Sequence, residues 1–260
     1  MESLHVRNFK MNKFLLSLVA LATTMHLYGG NITIAVAANV SYAMEELVEK
    51  FQTSHPDVKV QTILGSSGKL TAQIRNGAPY EVFMAANMAY PEALYKDEVA
   101  ITKPKVYARG GLALLSANER DFSLGLSMLT DEKIKKIAIA NPKTAPYGTA
   151  AIEAMKNAGI YEKVKSKLVY GETISQTVAY AVGATDMGIV NGSAMYSDKM
   201  AKYQKGVHWE LIDDSTYTPI DQGIVLLKFG AQNPDAKAFY DFILSNQARE
   251  ILSRYGYLLP

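Results

Sequence analysis

Apolar and polar positions alternate in two rhythms along this chain. Short apolar runs rich in β-branched residues read as strands: "ITIAVAA" (32–38), residues 58–64, "EVFMAA", "GLALL" (111–115), "KKIAIANP", "KLVYGET", "DMGIV" and "GIVLLKF". Between them, apolar residues recur three and four apart and read as helices. In "SYAMEELVEKFQTS", Met44, Leu47, Val48 and Phe51 share one face, while Glu45, Glu46, Glu49 and Lys50 form a solvated one. Further helices are predicted at 69–76, in "MAYPEALYKDE", in "GTAAIEAMKNAG" with its stop at Gly159, in "ISQTVAYAV", in "NGSAMYSDKM" and over 234–255. Strands alternating with helices predict an α/β fold with a largely parallel sheet. No repeat or long linker divides the chain. If there are two lobes, the chain crosses at short segments, and "VYARGG" (106–111) and "DDSTYTPIDQG" (213–223) are the candidates.

Small or amide residues recur where strands give way to helices: "AANVS", "GSSGK", "NPKTAPYGT", "GETIS" and "VNGS". Ligands of α/β sheets bind beyond the carboxyl ends of the strands. Helix N-termini there offer free backbone N–H groups and the positive end of a dipole, which suits an oxyanion. Each junction taken singly is also an ordinary capped turn. The "GSSGK" loop is not a nucleotide loop. Ile63 stands where the first glycine of that motif belongs, and Leu70 follows Lys69 where a magnesium-binding Ser or Thr is needed.

Composition adds a compartment and removes several chemistries. Residues 1–30 read as a signal peptide: Lys10 and Lys13 precede an apolar run over 14–22, followed by small and polar residues, and Met11 can serve as the start. The run is shorter than a membrane span of about 20 residues. The chain has 260 residues, 48% hydrophobic and 20% charged, as expected of a packed soluble protein. There is no cysteine, hence no disulfide, lipid anchor or thiolate metal site. Its 27 basic and 25 acidic residues form no basic stripe, so nucleic acid is not an expected partner. Of four histidines, His5 and His26 lie in the leader, His55 precedes Pro56 in a surface turn, and His208 flanks Trp209 in a packing role. No serine-nucleophile elbow, zinc motif or dinucleotide fingerprint occurs. Asp213 and Asp214 read as a turn. No catalytic residue, cofactor or metal site is expected.

In order and spacing, "AVAANVSYAMEELVEKFQ", "GSSGKLTAQIRNGAPYEVFMAAN", "IAIANPKTAPYGTAAIEAM", "GETISQTVAYAV", "MGIVNGSAM" and "AFYDFILSNQAREILSRYGYLLP" resemble the molybdate-binding proteins of bacterial ABC importers, from about residue 31 to the end. The resemblance implies a two-lobed periplasmic binding protein fold of type II with its ligand cleft between the lobes. One lobe would comprise 31–108 and 213–260, the other 109–212. It implies a monomeric, periplasmic receptor, not an enzyme, that binds molybdate and tungstate and delivers them to an ABC permease at the inner membrane. Carried over residue by residue, Ser67 would donate through its hydroxyl and backbone N–H, and Tyr147 and Ile174 through backbone N–H groups. Asn39 stands where a Ser is usual and Asn191 where a Tyr hydroxyl is often used. Either amide can supply an N–H. Glu81 and Asn87 stand where relatives often carry Asp.

Physical chemistry narrows the ligand. A fully ionised tetrahedral dianion offers only acceptors, so its site should contain only donors, whereas phosphate keeps a proton near neutral pH and would welcome an acceptor. Neutral Asn39, Ser67 and Asn191 therefore favour molybdate, tungstate or sulfate. Glu172 is expected to point away from the anion, and Lys69 to act at long range or in a surface contact. The alternatives are a sulfate- or tungstate-preferring receptor, an exported phosphoester-processing enzyme using the same loops, and a sensor that presents its closed form to a receptor.

Overall fold

The computed structural model describes residues 30–259, so the predicted signal peptide lies outside the described residues. The chain opens with β1 (Asn31–Ala37), a short 3-10 turn (Ala38–Val40), α1 (Ser41–Gln52), β2 (Lys59–Gly65), α2 (Ser67–Arg75), β3 (Val82–Met84), α3 (Ala89–Lys96) and β4 (Lys105–Gly110). It then builds β5 (Leu112–Leu115), β6 (Ile137–Ala140), α4 (Pro146–Asn157), α5 (Tyr161–Val164), β7 (Leu168–Gly171), α6 (Ile174–Gly183), β8 (Met187–Asn191) and β9 (Trp209–Leu211). It returns with β10 (Ile220–Leu226), α7 (Pro234–Ile243) and α8 (Asn246–Arg254).

These strands form two five-stranded sheets, in the orders β2-β1-β3-β10-β4 and β7-β6-β8-β5-β9. Each sheet with its helices is a lobe with its own apolar core. In the first, Ile32, Ile34 and Val36 of β1 pack against Met44, Leu47 and Phe51 of α1 and Phe239 and Ile243 of α7. Those α1 residues belong to the apolar face read from the sequence, while Glu45 and Glu49 are exposed. In the second, Ile137 and Ile139 of β6 meet Ala151, Ala154 and Met155 of α4.

The sheets are mixed rather than largely parallel. β2, β1 and β3 run parallel, but β10 is antiparallel to both β3 and β4. Likewise β7, β6 and β8 are parallel, while β5 is antiparallel to β8 and β9. The antiparallel strands are those that flank the crossings, where the chain arrives from the other lobe instead of through a helix of the same one. The candidate crossing at 106–111 begins within β4. Two further departures have local causes. "NGSAMYSDKM" forms two 3-10 turns (Gly192–Tyr196 and Asp198–Met200), because Ser197 between them is extended and its hydroxyl accepts the N–H of Lys199. The predicted helix over 234–255 is two helices, with Ser245 as a new N-cap accepting the N–H of Ala248.

Candidate functional site

Four chain turns meet between the lobes. From the first lobe come the 3-10 turn after β1 and the start of α2. From the second come the starts of α4 and α6. They line a small, partly open pocket formed by Ala37, Ala38, Asn39, Gly65, Ser66, Ser67, Ala86, Ala145, Pro146, Tyr147 and Ile174. No ionisable carboxylate, amine, guanidinium or imidazole stands in that wall. The N–H groups of Ser67, Tyr147 and Ile174 precede the first i→i−4 bond of their helices, so the helices leave them unclaimed. The three helix dipoles add positive potential without a charge.

Four of the five residues singled out in the sequence, Asn39, Ser67, Tyr147 and Ile174, are brought together in this wall. Ser67 is buried, and its hydroxyl oxygen accepts the N–H of Ala86 at 2.9 Å, which leaves its own proton for another acceptor. Ala86, at the carboxyl end of "EVFMAA", was readable as one more strand terminus. Ser66 is the N-cap residue of α2 but makes no side-chain cap bond, and its buried hydroxyl has no partner. Asn191 does not line the pocket. Its Nδ2 donates to the carbonyl of Asn39 at 3.3 Å and to Ser193 Oγ at 2.8 Å, so it holds the Asn39 turn from behind, across the lobes.

Beneath the pocket lies a buried polar network that the sequence reading missed. Asn39 Nδ2 donates to Gln222 Oε1 at 2.8 Å and to Tyr257 Oη at 3.0 Å. Tyr107 donates to the same Gln222 oxygen at 2.8 Å, and Gln222 Nε2 donates to Tyr147 Oη at 3.2 Å. Tyr257 donates to the carbonyl of Asn39 at 2.9 Å. The one signal for it was Gln222, a lone amide entering an apolar strand. Desolvation pushes the phenols of Tyr107 and Tyr147 well above their ordinary value, and that of Tyr257 up to about 12. All three stay protonated and neutral, so no charge sits under the pocket. The Tyr147 hydroxyl and Gln222 Nε2 fill the space that a Cβ on Gly110 would need, which ties the α4 lobe to the crossing strand.

The lobes are also fastened at the rim. Gly68 N–H donates to the carbonyl of Thr144 at 2.9 Å, and Ser175 Oγ donates to that of Ala38 at 2.9 Å. The Lys69 ammonium pairs with the Glu172 carboxylate, both about half exposed. Glu172 thus turns to Lys69 and is absent from the pocket wall, and Lys69 makes a surface contact. Glu81, buried, accepts the N–H of Thr33 and the amide of Asn233, fastening β1 and β3 to the start of α7. Asn87 accepts the N–H of Tyr90 at the start of α3. Asp213 closes a turn by accepting from Ser215. His55 stacks on Phe51 and His208 meets Tyr203 edge-on, both packing roles. Among the described residues no group of three or more His, Asp or Glu could hold a metal ion.

Residues 32–258 match the family model of the bacterial extracellular solute-binding protein. The chain belongs to that family. Among its relatives, the molybdate-binding protein ModA of Azotobacter vinelandii is 36% identical over 254 residues, 96% of this chain and 98% of that one. ModA of Rhodobacter capsulatus is 40% identical over 233 residues, 88% of each chain. The solved structure of the Azotobacter vinelandii periplasmic molybdate-binding protein superimposes with a TM-score of 0.81 at 28% identity, covering 88% of this chain and 99% of that one. The mixed α/β architecture is thus that of the periplasmic binding proteins, and this solute-binding protein places a pocket without ionic side chains between two sheets.

Proposed function

We propose that this protein is a periplasmic receptor that binds molybdate, and tungstate with it, and delivers the anion to an ABC permease. The observation that carries the reading is the pocket wall: helix N-termini from both lobes converge on it, and none of its side chains is ionic. Such a wall suits a small anion that offers only acceptors. The names of the ModA relatives point to the same ligand. Ser67 would donate through its hydroxyl and N–H, Tyr147 and Ile174 through their N–H groups, and Asn39 through its amide. Asn191 would act from behind by fixing the Asn39 carbonyl. Lobe I would comprise 31–108 and 213–260 and lobe II 109–212, and their closure would desolvate the anion and present the loaded form to the permease. The receptor works as a monomer and performs no chemistry on its ligand.

Calorimetric titration of the anion-stripped mature protein with molybdate, tungstate, sulfate and phosphate tests this. Tight one-to-one binding of the first two, with the others much weaker, is expected. Preference for sulfate would reassign the ligand. Silence from all four, or turnover of a phosphoester by the pure protein, would overturn the reading.

A further inference from the structure

The Asn39 amide stands in the pocket wall with its ends unequally occupied. Nδ2 is spent inward on Gln222 and Tyr257, while Oδ1 is buried and has no partner. An acceptor at this position opposes a bare dianion and suits an oxyanion that still carries a proton. Building on the oxyanion reading above, we propose that Gln222 is the positioning residue that decides which end of the Asn39 amide the pocket presents, and so whether the site takes a fully deprotonated oxyanion or a protonated one.

The hydrogen-bond inventory makes the decision a joint one. If Asn39 turns its Nδ2 toward an anion, its Oδ1 faces Gln222 Oε1, and two acceptors cannot share that contact. If Gln222 turns as well, every group finds a partner. Gln222 Nε2, with two protons, then donates to Asn39 Oδ1 and Tyr107 Oη. Gln222 Oε1 accepts the proton of Tyr147, which at present only receives. Tyr107 turns its own proton to the carbonyl of Ala85, already 3.5 Å away. Tyr257 can direct its single proton to either oxygen of Asn39, because the carbonyl keeps Asn191 and Ser193. The turned arrangement gives up the bond from Asn39 Nδ2 to Tyr257, gains the longer one from Tyr107 to Ala85, and satisfies the Oδ1 that has none. Gln222 is fully buried and touches the pocket residue, the crossing strand β4 and helix α4 of the other lobe. A residue unable to turn in this way would leave Asn39 pinned.

Gln222→Glu supplies such a residue. Three hydrogen bonds from Asn39, Tyr107 and Tyr147 favour the ionised form of that carboxylate against its burial, and an ionised carboxylate only accepts, so Nδ2 is held inward. Wild type, Gln222→Glu and Gln222→Met are titrated with molybdate and with inorganic phosphate at mildly alkaline pH, where both ligands carry two charges. Repulsion from the new carboxylate then cancels in the ratio of the two affinities. The molybdate-to-phosphate ratio should fall by about tenfold or more in Gln222→Glu. It should stay within about threefold of wild type in Gln222→Met, which frees Asn39 even as the fold loses stability. An unchanged ratio in Gln222→Glu, or an equal fall in both variants, makes Gln222 structural only and overturns the proposal. Wild type binding neither anion overturns the oxyanion reading itself, and the proposal with it. Should the Glu variant not fold, the side-chain amide resonances of wild type decide: Asn39 and Gln222 must both shift on adding molybdate, and a Gln222 amide that stays in place overturns the proposal.

Discussion

At the scale of single residues, the proposed receptor separates residues that would donate to the anion from the groups that hold them. Ser67 is of the first kind. Its oxygen is occupied by the Ala86 N–H and its proton is free. Ser67→Ala should weaken molybdate binding by about 1.5–3 kcal/mol, the range for a hydrogen bond to a charged group, and calorimetry reads that as roughly ten- to a hundredfold in Kd. The Tyr147 side chain is of the second kind. Tyr147→Phe removes the acceptor of the Gln222 amide but leaves the backbone N–H in place. Unfolding in urea should show a loss of about 1–3 kcal/mol, with affinity changed far less. A large affinity loss without a stability loss would make the hydroxyl a ligand.

At the scale of elements, the proposed closure would depend on how near the start of α2 can come to the loop before α4. Gly68 makes that approach possible: a Cβ there would lie 2.8 Å from Tyr90 Oη and 3.1 Å from the Thr144 backbone. Gly68→Ala should weaken anion binding by about 1–3 kcal/mol, the usual cost of overpacking a fitted contact. Its unfolding midpoint without anion should not fall, since alanine suits a helix better than glycine. A lower midpoint with unchanged affinity would place the contact outside closure. The α/β layering and the face of α1 were legible because they follow from periodicity. So were the strand-to-helix junctions that hold Ser67, Tyr147 and Ile174, while the choice of those three residues within them came only from the family resemblance. The network of Tyr107, Gln222 and Tyr257 was not, because its members lie far apart in the chain and meet only after the crossings form. The direction of β10 was hidden for the same reason. The break at Ser245 was masked because the apolar rhythm of α7 runs on into α8.

At the scale of the whole molecule, the buried tyrosines set an upper pH limit. Their folded-state values lie above the ordinary value near 10. A group that holds its proton more tightly when folded contributes stability that is complete below its unfolded value. That contribution is lost as pH rises toward the folded one. Stability in urea should therefore hold to about pH 10 and fall between about 10 and 12, the window set by Tyr257. Tyr257→Phe should flatten part of that slope, and a profile unchanged by the substitution would remove Tyr257 as its cause. Bound anion should raise the unfolding free energy by about 2.7 kcal/mol at a hundred times Kd.

The uncharged pocket wall has a consequence for loading. Dipoles, amides and a hydroxyl have no proton to gain or lose near neutrality, and the phenols below are held neutral. Capture of a dianion here should be free of proton exchange with the medium. The heat of molybdate binding should then be the same in buffers of very different ionisation enthalpy, and the Kd should stay level while the anion remains fully ionised. A slope of heat against buffer enthalpy would reveal a titrating group that moves when the lobes close. Without one, the receptor responds to its anion alone and is indifferent to the acidity of the space in which it waits.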